Sequence, residues 1–221
     1  MSEKKAGRGF AEMLKLGFIL AMFAAASCVG LAFVYAGTEK IIAQRQQADL
    51  EEALMELFPD ADSFQAISDI SSPDPMVAIE GDDSNPNNTG AFAALKNGEA
   101  VGLALRTSRF SYAGPIVILV GVGADGRISG VKILENIDTP GLGSNASSKT
   151  YFVDRANGIR FYEQFAGKNA SDPFEPKQDV IAITAATITS RAVASSVKAA
   201  GEAASAWFAS SQRTSSQGGI R

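Results

Sequence analysis

The feature that most constrains this chain is an apolar run near its N-terminus, in which no residue from Leu16 to Ala36 carries a charge. At a rise of about 1.5 Å per residue, a helix over this run is roughly 32 Å long, which matches the hydrocarbon core of a bilayer. The sequence therefore predicts a single transmembrane helix over residues 16–36.

The charges that flank this run indicate its orientation. Four cationic residues precede it, and only two acidic ones do: Lys4, Lys5, Arg8 and Lys15 against Glu3 and Glu12. Positively charged flanks of membrane helices stay in the cytoplasm. We therefore expect residues 1–15 to be cytoplasmic and everything after Gly37 to lie across the membrane.

Three other interpretations of the run stay open. It could be the buried core helix of a small protein, a signal peptide cleaved after Val34-Tyr35-Ala36, or a lipoprotein signal ending at Cys28. The run is longer than the apolar region of ordinary signal peptides, and apolar sequence continues beyond Cys28. We prefer an uncleaved anchor.

Composition excludes several kinds of chemistry. The chain has no histidine, so Ser-His triads and His-ligated metal sites are absent. Cys28 is the single thiol, which excludes internal disulfides and iron–sulfur clusters ligated within one chain. The net charge of -4 gives no signature of nucleic-acid binding. We predict no catalytic residue and no metal site, and any redox work needs a bound organic cofactor.

A helical connector and a loop should follow the anchor over residues 38–89. Apolar residues recur at helical spacing from Thr38, which could cap the helix, to Phe58, and Pro59 should end it. A loop rich in Pro, Asp and Asn covers residues 71–90, with one short strand at Met76–Glu80.

The remaining sequence predicts an α+β domain over residues 90–209, with a mostly antiparallel sheet and packed helices. Alternating apolar runs flank Asn97-Gly98 and Asp125-Gly126, which are hairpin turn signals. An amphipathic segment at 151–165 and a short buried strand at Val180–Ile183 should follow. A helix capped by Ser190 should then run to Phe208, and residues 210–221 read as a flexible tail.

Hydroxyl side chains are concentrated in the stretch ITAATITSRAV, which begins at Ile183, directly after the last apolar strand. The cluster comprises Thr184, Thr187, Thr189 and Ser190. A strand, a tight turn of small residues and a helix start can bind a phosphate, since the first N–H groups of a helix are unpaired. The same residues could instead serve simply as helix caps.

This stretch resembles the flavin-attachment motif of the FMN-binding domain family, found in the G subunit of Rnf electron-transport complexes and the C subunit of the sodium-pumping NADH:quinone reductase. The motif of that family reads, in order, an acidic residue, two unspecified residues, Ser or Thr, Gly, Ala and Thr. Its last Thr is esterified to the FMN phosphate. The resemblance makes Thr187 the acceptor and Thr184 the Ser/Thr position, with Ala186 at the Ala position. Ile181 stands where the family has the acid, and Ala185 where it has Gly.

Other segments resemble the same family in the same order. DTPGLGS at Asp138–Ser144 is similar to the family's ETPGLG loop, which lies against the flavin. The strands before it and the segment FYEQFAGK after it are also similar. The resemblance implies ring contacts from Thr139 and Leu142. The implied cofactor-binding set is Thr139, Gly141, Leu142, Gly143, Thr184, Ala185, Ala186, Thr187, Thr189 and Ser190.

The resemblance implies a membrane-anchored electron-transfer subunit with covalent FMN at Thr187, on the outer face of a bacterial inner membrane. Its expected partners are the other membrane subunits of an Rnf-type ferredoxin:NAD oxidoreductase coupled to ion translocation, and a flavin transferase that matures it. The subunit would not be an enzyme on its own. Two alternatives stay open: a non-redox, membrane-anchored assembly protein, and a flavoprotein subunit of an NqrC-like or other respiratory system.

Overall fold

The structure is a computed structural model that describes residues 3–68, 70–79 and 90–217. The chain divides into two compact units, Met1–Ala48 and Asp49–Arg221. Helix α1, Glu3–Leu57, supplies all the described structure of the first unit and the start of the second.

Helix α1 is continuous, so the predicted start of a second helix at Thr38 is wrong. The Thr38 hydroxyl donates instead to the carbonyls of Val34, at 2.9 Å, and Tyr35, at 3.1 Å. A threonine inside a helix can bond the preceding turn in this way without capping anything. The predicted end is confirmed, because the helix stops at Leu57, two residues before Pro59.

The apolar run lies within α1 and is exposed along its length. The part of α1 over Glu12–Leu57 is long and apolar enough to cross a membrane, and none of its most apolar stretch is buried. Large side chains such as Phe18 and Phe33 point outward. Contiguous apolar surface of this size is stable in lipid and not in water.

The second unit is built on an antiparallel sheet, which confirms the α+β class with a mostly antiparallel sheet. Its strands are β1 Ser63–Ala66, β2 Ala78–Ile79, β3 Ala91–Lys96, β4 Glu99–Phe110, β5 Pro115–Gly123 and β6 Ile128–Asn136. The order is β1-β3-β4-β5-β6, and β2 pairs with the end of β4. Both predicted hairpins are present, and Asn97 and Gly98 adopt the left-handed φ values of 54° and 82° that a type I′ turn requires.

The two faces of the sheet are covered by the two helices. Helix α2, Thr187–Gln217, packs on the inner face, where Val193 and Val197 meet strand residues such as Leu105. The end of α1 packs on the outer face through Leu54 and Phe58. This arrangement places the first turn of α2 close to the loops at one end of the sheet.

The sequence predicted no secondary-structure type for the amphipathic segment 151–165. It is a small hairpin, β7 Phe152–Asp154 and β8 Ile159–Arg160, followed by a 3₁₀ turn at Glu163–Phe165. The predicted strand Val180–Ile183 is wrong, because beyond a single bridge between Val180 and Pro176 the segment pairs with no strand in the described part of the chain.

Side chains take the place of the missing strand partner. The Ile181 N–H donates to Gln164 Oε1 at 2.7 Å, and Gln164 Nε2 donates to the Ile181 carbonyl at 3.1 Å. The Ile183 N–H donates to Ser190 Oγ at 2.9 Å. These bonds satisfy backbone groups of Ile181 and Ile183 without a ladder.

The termini of the domain differ slightly from expectation. Helix α2 continues to Gln217, past the predicted start of the tail at residue 210, and residues 218–221 lie outside the described part of the chain. Within the predicted strand Met76–Glu80, Ala78 and Ile79 form β2, and Glu80 lies outside the described residues.

Candidate functional site

The turn that leads into α2 contains a strained residue. Ala185 has a φ of 60°, and the Ala186 N–H closes the turn by donating to the Ile183 carbonyl at 3.1 Å. The left-handed conformation costs a residue with a Cβ roughly 1–2 kcal/mol. This is the position at which the resembled motif has glycine, which adopts that conformation freely.

The four hydroxyls of the cluster divide into two pairs. Ser190 is fully buried and donates from Oγ to the Ala186 carbonyl at 2.9 Å, while accepting the Ile183 N–H. Thr189 is also buried and donates to Asp138 Oδ2 at 2.6 Å. Thr184 and Thr187 are exposed. Two hydroxyls therefore hold the fold together, and two face outward.

The helix begins at Thr187 and not at Ser190, so the prediction that Ser190 caps the helix is wrong. Within the described residues, no acceptor pairs with the backbone N–H groups of residues 187–189. These groups and the helix dipole favour an anion at this end of α2. The exposed Thr187 hydroxyl lies at the same place.

The glycine-rich loop forms a tight turn beside this helix start. The N–H groups of Leu142 and Ser144 both donate to the Thr139 carbonyl, at 3.1 and 3.3 Å. Gly141 adopts a φ of 77°, and its N–H donates to Ser144 Oγ. Leu142 follows it with a side chain that is 41% exposed. The loop thus presents an apolar side chain outward from a rigid turn.

Asp138 joins these segments, although no sequence pattern singled it out as a site residue. Its carboxylate is only 5% exposed and accepts hydrogen bonds from the Ser111 hydroxyl, the Ala113 N–H at 2.8 Å and the Thr189 hydroxyl. Burial by itself would raise the pKa of Asp138, but hydrogen bonds from Ser111, Thr189 and the backbone of Ala113 and Tyr112 outweigh it and hold the pKa below its ordinary value. Asp138 is therefore a buried carboxylate that stays charged.

Gly143 permits the close contact between the loop and the helix. A Cβ added at Gly143 would lie 2.5 Å from both Asp138 Oδ2 and Thr189 Oγ1, a distance that real Cβ atoms do not tolerate. The absence of a side chain here lets the Asp138–Thr189 hydrogen bond form.

A cleft of about 480 Å³ lies between the hairpin tip, the glycine-rich loop and the first turn of α2. It is lined by Tyr112, Asp138, Thr139, Leu142, Gly143, Ala185, Ala186, Thr187, Ile188 and Thr189. Seven of the predicted site residues are therefore together. The other three, Gly141, Thr184 and Ser190, do not line this cleft.

Three of the lining residues were missed by the sequence reasoning. Asp138 is the first residue of the DTPGLGS motif, and Ile188 lies between two residues of the hydroxyl cluster, so both belong to segments that the sequence had marked although neither was predicted as a site residue. Tyr112 is separated from the two motifs along the chain; it begins the strand segment that resembles the family, but the resemblance gave it no role in the site.

A second cleft, of about 560 Å³, lies on the other side of the turn. It is lined by residues 177–185 and Thr187, and it shares Ala185 and Thr187 with the first cleft. Ile181, at the acidic position of the motif, is 48% exposed here. The nearest acid does not replace it, because Asp179 accepts the N–H groups of Phe174 and Glu175 within its own loop.

The first cleft suits a flavin mononucleotide. Its walls offer the apolar side chains of Leu142, Ile188 and Tyr112 to a planar ring, and one end offers unpaired N–H groups and an exposed hydroxyl to a phosphate. The small side chains of Ala185 and Ala186 allow a ligand to approach the backbone between these two regions.

Comparison with known proteins agrees with these features. Residues 111–202 match the family model of the FMN-binding domain, and residues 1–57 match that of the RnfG N-terminal region. The G subunit of the Na(+)-translocating ferredoxin:NAD(+) oxidoreductase complex of Acetobacterium woodii is 31% identical over 203 residues, covering 84% of this chain and 88% of the relative.

Two further similarities complete the comparison. The G subunit of the ion-translocating oxidoreductase complex of Aliivibrio fischeri is 32% identical over 202 residues, covering 89% of this chain and 90% of the relative. Among solved structures, Shewanella oneidensis NqrC aligns with a TM-score of 0.39 and 18% identity, over 60% of this chain and 66% of that one. The sequence matches carry the family assignment.

Proposed function

The chain belongs to the family of G subunits of Rnf-type ion-translocating oxidoreductase complexes, and on this premise we propose that it carries FMN through a phosphoester bond to the Thr187 hydroxyl. It is a membrane-associated electron-transfer subunit with an FMN-binding domain, and its partners are the other subunits of the complex. The covalent bond and its position are the proposed part.

The observation that carries the choice of Thr187 is the division of the hydroxyl cluster. Thr189 and Ser190 are buried and hydrogen-bonded, so neither can accept a phosphoryl group without breaking the fold. Thr184 is exposed but lines only the second cleft. Thr187 is exposed, lines both clefts and is the first residue of α2. Within the described residues, no acceptor pairs with the N–H groups of residues 187–189 in the first turn of this helix.

Formation of the bond requires help from outside the chain. The Thr187 hydroxyl must lose its proton, and its oxygen must form a bond to the phosphorus of FMN. The donor is an activated flavin nucleotide, in which a second group is linked to that phosphate. The bond between this group and the phosphorus breaks, and the group leaves. Within the described residues no carboxylate or amine is hydrogen-bonded to the Thr187 hydroxyl. We therefore assign its deprotonation to a separate flavin transferase, which needs the exposed turn to reach this residue.

Once attached, the flavin supplies one- and two-electron transfer, and the protein positions it. The N–H groups of residues 187–189 stabilise the phosphate charge. Leu142 and Ile188 exclude water from the apolar part of the cleft. We place this domain on the outer face of a bacterial inner membrane, where a covalent bond prevents loss of a cofactor that the cell could not replace.

The test is to express the full chain with a flavin transferase and compare wild type with Thr187→Ala and Thr184→Ala. We expect flavin fluorescence on a denaturing gel, and the mass increase of FMN in the intact protein, for wild type and Thr184→Ala only. Thr184 is the matched control because it is also an exposed hydroxyl beside the same turn. Fluorescence that survives Thr187→Ala would exclude this attachment site.

One observation favours the alternative of a non-redox assembly protein. Ile181 replaces the acid of the attachment motif, and Ala185 is strained where the motif has glycine. Wild-type protein that stays colourless and unmodified beside an active transferase would support this alternative and contradict the proposal.

A further inference from the structure

Tyr112 lies at the tip of the hairpin between β4 and β5 and lines the first cleft. Its side chain is 71% exposed. The tip is closed by the Ser111 N–H, which donates to the Gly114 carbonyl at 2.7 Å. The closed turn fixes the backbone that carries this side chain, and the exposed ring is accessible to a ligand in the cleft.

Both neighbours of Tyr112 are bound to the same carboxylate. The Ser111 hydroxyl donates to Asp138 Oδ2, and the Ala113 N–H donates to Asp138 Oδ1 at 2.8 Å. The Thr189 hydroxyl, from the first turn of α2, also donates to Asp138 Oδ2. One buried carboxylate therefore ties the hairpin tip to the helix start.

Asp138 also fixes the third wall of the cleft. It directly precedes Thr139, the first residue of the glycine-rich turn, and its own N–H donates to Asn136 Oδ1 at 3.0 Å. Asn136 Nδ2 in turn donates to the Gly143 carbonyl at 3.1 Å. The hairpin tip, the glycine-rich loop and the helix start thus converge on one residue.

We propose that Tyr112 contacts the flavin ring as the aromatic wall of the cleft, and that Asp138 is the positioning residue that holds Tyr112 against it. The inference rests on the proposed function, since it assumes that the cleft beside Thr187 holds the ring. Planar aromatic groups gain from stacked or edge contacts in addition to burial.

The surrounding residues distinguish Tyr112 from its neighbours. Phe110 lies two residues earlier on the same hairpin and is 77% exposed, but it does not line the cleft. Leu142 and Ile188 line the other walls and are aliphatic. Within the cleft lining, Tyr112 is the one aromatic side chain. A tyrosine in contact with a flavin quenches its fluorescence, so the contact has a direct signature.

The experiment compares full-length, transferase-matured proteins in detergent: wild type, Tyr112→Ala, Tyr112→Phe, Asp138→Asn and the control Phe110→Ala. Each sample is measured twice, first native and then denatured. The ratio of the two fluorescence yields reports quenching by the fold, and the denatured yield alone reports covalent attachment. Reduction potentials of the same samples give an independent readout.

We expect strong native quenching in wild type and Phe110→Ala, and loss of most of it in Tyr112→Ala with attachment unchanged. Asp138→Asn should lose quenching although Tyr112 is present, and adding Tyr112→Ala to it should cause no further loss, because the two residues act as one unit. Tyr112→Phe should keep the ring contact but quench more weakly, because phenylalanine is harder to oxidise than tyrosine. Its flavin reduction potential should be nearer to that of wild type than the potential of Tyr112→Ala is.

Two results would overturn the inference. Native quenching in Tyr112→Ala equal to that in wild type would exclude the ring contact, and Asp138→Asn with full quenching would exclude the positioning role. If Asp138→Asn does not fold, Ser111→Ala removes one of the two bonds beside Tyr112 and serves in its place. If wild type carries no covalent flavin, the proposed function fails on its own; titration with free FMN then tests the contact, and equal quenching by wild type and Tyr112→Ala would refute it.

Discussion

At the scale of the residue, Ala185 combines strain with a functional position. It is exposed, has a φ of 60° and lies two residues before the proposed acceptor Thr187. Strained backbone persists only where the surrounding structure imposes it. Here the Ala186–Ile183 turn bond and the buried Ser190 hydroxyl on the Ile183 N–H impose it.

We predict that Ala185→Gly raises the free energy of unfolding by about 1 kcal/mol, because glycine adopts the left-handed conformation without a Cβ penalty. Chemical denaturation of the detergent-solubilised protein measures this change. Ala186→Gly is the matched control. Its side chain is buried and its φ is not positive, so it should destabilise the protein. A loss of stability in Ala185→Gly would show that the turn is not strained.

At the scale of the element, the site depends on the contact between the glycine-rich loop and the first turn of α2. Neither segment forms the cleft alone, because the loop supplies Leu142 and the helix supplies Thr187 and Ile188. The Asp138–Thr189 hydrogen bond holds them together, and Gly143 leaves the space for it.

We predict that Gly143→Ala lowers the free energy of unfolding by about 3 kcal/mol, through overpacking and loss of a buried hydrogen bond to a charged acceptor. Gly141→Ala is the control. A Cβ there meets nothing within 4 Å, so only its positive φ should matter, at about 1–2 kcal/mol. Thermal unfolding of the two variants measures the difference. Equal losses would mean that the loop and helix do not depend on this close approach.

At the scale of the whole molecule, the chain joins an apolar helix to a folded domain, and the two units have different surroundings. The exposed apolar surface of α1 is long and apolar enough to cross a membrane, whereas the described surface of the second unit carries polar loops. The cationic residues before the apolar run predict which side of the membrane the domain occupies.

We predict that a membrane-impermeant maleimide labels Ala156→Cys in a Cys28→Ser background when added to cells with a permeabilised outer membrane. Ala156 is exposed in the second unit. Ser2→Cys, before the apolar run, should be labelled only after the inner membrane is opened. Gel-shift assays of labelled protein measure both, and the reverse pattern would contradict the orientation.

Much of the fold could be predicted from the sequence because the signals were local. Asn97-Gly98 and Asp125-Gly126 determine their own turns, since few residues tolerate the conformations that such turns need. The helix end before Pro59 follows from proline's missing N–H. In the candidate site, short motifs predicted roles for Thr187 and Leu142, and the structure places both residues in one cleft.

The failed strand prediction came from interactions between residues that are separated along the chain. Val180–Ile183 has the composition of a buried strand, but Gln164 and Ser190 bind its backbone groups instead. A side chain 17 residues away cannot be inferred from local periodicity.

By itself, the sequence determined the apolar helix, the antiparallel hairpins and the position of the hydroxyl cluster, because each depends on residues that are close together along the chain. Only the tertiary structure decided which hydroxyls are free. Thr189 lies 51 residues after Asp138, and burial of their hydrogen bond leaves Thr187 as the exposed hydroxyl of the cluster that lines this cleft. The side-chain types in a motif indicate which reactions its residues could take part in. Packing determines which of those side chains remain accessible.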